Sequence, residues 1–238
     1  MKKMPTPIHA ILPGALTIAA LNFAAVADFT GFSGQDTLRY YATDGTTETT
    51  VADAAWAVLD VYANYDVATD HTVSVFNANF VAQGFSLFNQ DDITVDGSWK
   101  PSYSFDTGGG NSNIDSFITI GGGVGSQAAS NLTTADPNLG IANSADIFNS
   151  NVGWYLLPPT SEQGDPIDLQ VWMGRFVVTG DEARSGAEFE MSAFITYTEG
   201  SSTGAQFGND EANFIFTPAP GALALLVPGA ACARRRRR

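Results

Sequence analysis

Residues 54–80 read AAWAVLDVYANYDVATDHTVSVFNANF, and the fold turns on how they are read. Val, Tyr, Trp and Phe crowd both halves, and the polar run from Asp66 to His71 separates them. That pattern predicts two long strands joined by a short connection. In the first arm Ala55, Ala57, Leu59, Val61, Ala63 and Tyr65 share a face. Trp56, Val58, Asp60, Tyr62, Asn64 and Asp66 form the other, which mixes large apolar bodies with polar groups. One face therefore meets a core and the other is partly wet. In the second arm strict alternation puts Thr72, Ser74, Phe76, Ala78 and Phe80 on one side and Val73, Val75, Asn77 and Asn79 on the other. The alanines of 51–63 also admit a helix, but the β-branched and aromatic content through Tyr65 favours a strand.

The same pattern recurs on both sides. Strands are expected over 37–43, 84–88, 115–120, 153–157, 169–179, 187–197 and 213–217, with an edge segment at 28–34. Gly174 inside 169–179 predicts a bulge or a close backbone approach. Phe189, Met191, Ala193, Ile195 and Tyr197 share one face of their strand. Residues 98–113 and 121–151 are rich in Gly, Asn, Asp and Ser and read as loops, although 31 residues without an element is long for one domain. No stretch keeps a 3.6-residue apolar period over three turns. The expected fold is all-β: a single antiparallel β-sandwich, jelly-roll-like or immunoglobulin-like, with long Gly/Asn/Asp-rich loops.

Three segments are expected: a signal peptide at 1–27, the sandwich at 28–217 and a sorting tail at 218–238. Lys2 and Lys3 precede an apolar run, and Ala25-Val26-Ala27 has the small-x-small form of a cleavage site, which favours export over a membrane anchor and a mature start at Asp28. The tail has a Pro-flanked apolar run, Gly221 to Ala233, too short and too broken by Pro228 for an ordinary membrane helix. Five arginines, Arg234, Arg235, Arg236, Arg237 and Arg238, close it and would hold the end on the cytoplasmic side.

The chain carries −14, but its body from 28 to 233 has four basic side chains against 25 acidic ones, a net −21. Such a surface repels phosphate backbones, so no nucleic-acid partner is expected, and it attracts cations. The single cysteine, Cys232, lies in the tail, which leaves the body without disulfides or thiolate metal ligands.

Pro218-Ala219-Pro220 followed by GALALL and the arginine cluster resembles the PEP-CTERM sorting signal, in its planctomycete-type Pro-Ala-Pro form; Ala219 stands where the commonest form has glutamate. The resemblance implies recognition by an exosortase-like enzyme after a signal peptidase has acted. It also implies delivery through the inner membrane to the cell surface or an extracellular polysaccharide matrix. Residues 75–80 (VFNANF), 115–123 (DSFITIGGG), 133–138 (TTADPN) and 172–176 (WMGRF) are similar to an uncharacterised domain of planctomycete proteins, from which no activity transfers.

Candidate chemistry is sparse. Glu188 and Glu190 alternate onto one solvated strand face, and Asp60 is flanked by Trp56, Val58 and Tyr62; a glycan-active hydrolase needs two carboxylates across a cleft. His71 is the one histidine of the body and sits in a turn without a nucleophile elbow. Calcium is the one metal to consider, on Asp91, Asp92, Asp96, Asp106 and Asp115 in oxygen-rich loops. Trp99 and Trp154, beside loops, are the candidate sugar-stacking residues, whereas Trp56 and Trp172, inside strong strands, are assigned to the core. The expected function is a non-enzymatic surface or matrix protein with a structural or adhesive role. A carbohydrate-binding module, calcium-stabilised or not, stands second and a hydrolase a remote third.

Overall fold

A computed structural model of the protein describes residues 28–83, 85–88, 99, 112–122, 132–135, 151–200 and 204–217. Among them ten strands form two antiparallel sheets. They are β1 (Phe29–Ser33), β2 (Arg39–Tyr41), β3 (Trp56–Tyr65), β4 (Asp70–Gln83), β5 (Phe117–Ile118), β6 (Thr133–Ala135), β7 (Val152–Leu156), β8 (Gln170–Thr179), β9 (Glu188–Glu199) and β10 (Ala205–Ile215). The first sheet runs β1-β3-β8-β5, with β2 also on β3, and the second runs β10-β9-β4-β7-β6. The chain changes sheet between β3 and β4, β4 and β5, β5 and β6, β7 and β8, and β8 and β9, so apolar faces of both close on one core.

That core is what the alternation in β3 and β9 predicts. Ala57, Leu59, Val61, Ala63 and Tyr65 point inward from one sheet and Phe189, Met191, Ala193, Ile195 and Tyr197 from the other, all buried in one cluster. At its centre the Phe189 ring lies 4.5 Å from that of Phe176 and 5.7 Å from that of Phe80.

β4 departs from strict alternation. Its inward residues are Thr72, Val75, Ala78 and Phe80, because register shifts at 72–74 and 76–79 each take up an extra residue. Asn77, in the second shift, adopts φ 49°. Phe76 is thereby turned outward, where it stacks on Phe194 at 5.4 Å. Of the strand expected over 84–88, the described residues 85–88 pair in neither sheet as a strand, although Leu87 is buried and Phe88 N donates to Val177 O. β6 lies in the stretch read as irregular, and β10 begins eight residues before its expected start.

Residues 180–186, read as a charged turn, hold a short helix, α1 (Gly180–Arg184). Thr179 accepts from Glu182 N while Glu182 accepts from Thr179 N, a reciprocal cap satisfying two backbone donors. The seam between the sheets closes where β1 lies against β10. Asp210 accepts from Phe32 N at 2.7 Å, and the Gln35 carboxamide exchanges two hydrogen bonds with the Ile215 backbone, occupying groups that an edge strand would leave open.

The outer face of the first sheet is organised in cross-strand rows: Val58 with Val177, Asp60 with Arg175, Tyr62 with Trp172 and Asn64 with Gln170. Arg175 lies three positions after Trp172, not two, and both face outward because β8 shifts register opposite Val61/Tyr62. Gly174 occupies this bulge, as expected. A Cβ there would stand 2.7 Å from the Phe117 carbonyl oxygen of β5, a backbone atom that cannot swing aside. Gly174→Ala is therefore expected to cost about 1–3 kcal/mol, read as a lower urea midpoint. An unchanged midpoint would show that β5 does not press on β8.

Candidate functional site

Beside the Tyr62–Trp172 row lies a groove of about 530 Å³, lined by Tyr62, Trp172, Gln170, Glu162, Asp165 and Asp168 among others. β3 and β8 present the two half-buried rings from adjacent strands. The Trp172 indole is fixed by its Nε1 donating to Gly174 O at 2.9 Å. The Arg175 guanidinium lies 5.3 Å from its ring and the Phe117 ring packs edge-on at 5.2 Å. Next to it Gln170 Nε2 donates to Asn64 Oδ1 at 2.9 Å, which in turn accepts from Ser33 Oγ at 3.0 Å, so a polar row braces the aromatic one.

The far wall is the turn Ile167–Gln170, whose end residues exchange two backbone hydrogen bonds. Its central residues Asp168 and Leu169 both adopt positive φ, 54° and 66°. Tight hairpin turns demand this conformation, but for leucine it is an uncommon, strained one. Tyr65 N holds Leu169 O at 2.9 Å, and Ile167 stands 79 % exposed on the rim.

Two groups expected as chemical candidates, Asp60 and His71, are committed elsewhere. Asp60, read as a partly wet position, is 2 % exposed: Arg175 grips it through Nε at 2.7 Å and Nη2 at 2.9 Å, and Arg39 reaches its Oδ2 as well. Burial pulls the Arg175 guanidinium down, and hydrogen bonds and charge from Asp60 outweigh that, so its affinity for the proton is raised. His71 meets Asp165 Oδ1 at 2.7 Å with Nδ1, and its Nε2 donates to Pro159 O at 2.8 Å. Both ring nitrogens thus brace the 159–165 segment, and neither faces open space in the adjoining 510 Å³ hollow that His71 helps to line. Of the glutamate pair on the outer face of β9, Glu188 is exposed and Glu190 half-buried.

Three of the four tryptophan assignments are reversed; Trp56, assigned to the core, is half-buried and packs against the Val58 and Val177 cluster beside Phe88. Trp99 and Trp154 are 4 % and 1 % exposed, and Trp154 Nε1 donates to Thr119 O at 2.9 Å, so neither offers a ring to a sugar. Trp172, assigned to the core, is the residue at the groove. The signal for it lay in its own strand, since inward Val171 and Met173 leave Trp172 outward. Asp115, expected in a calcium loop, is fully buried. Asp91, Asp92, Asp96 and Asp106 lie outside the described residues, as do the sorting-motif residues Pro218, Ala219, Pro220 and Arg234 to Arg238. Among the described residues no three His, Cys, Asp or Glu side chains gather as a metal site, and no helix is long and apolar enough to cross a membrane.

An indole and a phenol from register-paired positions, lining one groove with carboxylates and a carboxamide, can offer stacking faces for the C–H surface of a sugar and acceptors for its hydroxyls. Compared with protein-family models, with curated proteins and with solved structures, the chain matches none, so the chemistry of the groove rests on its own geometry.

Proposed function

We propose that the protein is a non-enzymatic, exported component of the cell surface or exopolysaccharide matrix, with an adhesive role exerted through polysaccharide held in the Tyr62–Trp172 groove. The observation that carries binding is that two half-buried aromatic residues, at paired positions on adjacent strands, line one groove. Delivery is supported by the two ends of the sequence, the Ala25-Val26-Ala27 site and the Pro218-Ala219-Pro220 tail with its arginines. A sandwich scaffold alone decides nothing here, since the architecture hosts many functions. The acids on the rim, Glu162, Asp165 and Asp168, favour neutral sugars over uronate-rich ones, because like charges repel.

The test is affinity electrophoresis through gels cast with neutral or with anionic polysaccharides. Neutral polysaccharide is expected to retard the protein, and Trp172→Ala to weaken retention about tenfold, the worth of one stacking platform at about 1.4 kcal/mol. Unfolding of the variant is followed alongside to separate lost stacking from lost structure. Mobility unchanged in every gel would sink the binding reading. Reducing ends released from the polysaccharide would replace it with hydrolysis. Intact mass and fractionation from the host test delivery: retention of Arg234 to Arg238 in the inner membrane would overturn it.

A further inference from the structure

One end of the sandwich carries an uncompensated group of acids. β4 opens on Asp70, directly opposite Glu199 of β9. Asp70 has no solvent exposure, and neither of its carboxylate oxygens has a hydrogen-bond partner; Glu199 Oε1 is buried and unpartnered too. Burial first, then the charges of Asp66, Glu199 and Asp28, push the Asp70 carboxyl up to about 6. The other titratable groups here are phenols: Tyr65, whose hydroxyl lies 2.6 Å from Thr72 Oγ1, and Tyr197. Burial is the leading cause that raises both. The described basic side chains are engaged elsewhere, Arg39 and Arg175 on Asp60, Arg184 on Asp181 and the Val51 and Ala54 carbonyls, and His71 on Asp165. Nor do the acids gather around one point as metal ligands would.

A nitrogen is nonetheless in place. The backbone N of Asp28 donates to Asp66 Oδ1 at 2.9 Å, and Asp66 N returns a bond to Asp28 O at 3.3 Å. We propose that hydrolysis of the Ala27–Asp28 bond converts this nitrogen into the missing cation, an α-ammonium that pairs with Asp66 and balances Asp70 and Glu199, so that removal of the signal peptide locks the acidic end of the fold. The proposal rests on the export reading above. Water adds across the amide; Ala27 departs as a carboxylate, and the Asp28 nitrogen, gaining two protons, becomes an ammonium. A neutral amide with one donor thereby becomes a charged group with three. Its ordinary pKa, about 7.7–8.0, keeps it largely protonated at neutral pH, and neighbouring carboxylates favour that form further.

The pH dependence carries the sign of Asp70. Its folded pKa lies above the ordinary carboxylate value, so in the uncleaved chain the native state holds a proton that the unfolded state releases. Stability contributed there is present at low pH and is lost as pH rises from about 4 through about 6. An adjacent ammonium draws Asp70 back toward its ordinary value, and that loss shrinks.

The experiment compares residues 28–238 starting freely at Asp28 with the same chain carrying Ala-Val-Ala ahead of it and with an Nα-acetylated Asp28. At pH 7 and low salt the free terminus is expected to melt about 2–4 °C higher than either. The gap should narrow at pH 4 and close in Asp66→Asn. NMR titration of the α-amino group reads the lock directly: about half a unit or more above its ordinary value in the folded protein, and ordinary in urea. Equal melting of the three forms, or an ordinary α-amino pKa in the folded protein, overturns the lock. N-terminal sequencing of the protein from its host separates the two failures. A start elsewhere than Asp28 removes the premise and the lock with it. A start at Asp28 with equal melting removes the lock alone and leaves export standing.

Discussion

Asp60→Asn should unfold at markedly lower urea than the parent, a loss of about 3–5 kcal/mol. The side chain keeps its volume, so the loss is electrostatic: Arg175, 6 % exposed between the Phe117 and Trp172 rings, would keep its charge with its counter-ion gone. The backbone contacts of this position survive, since Thr37 Oγ1 exchanges hydrogen bonds with Asp60 N and O, not with the carboxylate. Removal of Arg39 should cost far less, within about 1 kcal/mol, because that side chain is 39 % exposed and water replaces its role. The double variant Asp60→Leu with Arg175→Met should recover most of the loss, because an apolar pair of similar size needs no counter-charge. Equal midpoints for Asp60→Asn and the parent would mean that water reaches Arg175. The row above it would feel the change too, since Arg175 also stacks against Trp172 at the groove floor.

How much of this was legible in the sequence depended on whether a strand keeps its period. β9 does, and its alternation alone places its five inward residues; that of β3 does the same from Ala57 to Tyr65. β4 does not, because two register shifts displace the pattern by one residue each, and no residue type announces them: Asn77 at positive φ is a mild cue at best. The same physics hid the groove. Gly174 signalled a bulge, but what the bulge does, placing Arg175 and Trp172 on one face, follows only once β5 is known to press on it. The first eight residues of β10, AQFGNDEA, carry too few large apolar residues to read as a strand, since they lie at an edge and are held by β9 and by the Asp210 carboxylate on the Phe32 backbone of β1. Asp60 reads as partly wet because its strand face is mixed, and its burial depends on arginines distant in sequence.

Phe189→Ala is expected to remove about 3–5 kcal/mol, the cost of deleting a fully buried ring whose surroundings cannot close over the space. The site is poorly placed to collapse. Phe176, Phe80 and Phe214 surround the ring at centroid distances of 4.5, 5.7 and 6.1 Å, and they come from both sheets, so filling the void would require the sheets themselves to approach. Against a total stability of about 5–15 kcal/mol for a domain of this kind, the variant should melt about 6–20 °C lower, or fail to fold. Phe207→Ala is the matched control, the same deletion at a ring 68 % exposed on the outer face of β10, with an expected change within about 0.5 kcal/mol. Phe189→Leu should fall between them, because it refills most of the volume without the ring. Equal losses at 189 and 207 would contradict the inward setting of β9, and with it the closure of the two sheets on a common core.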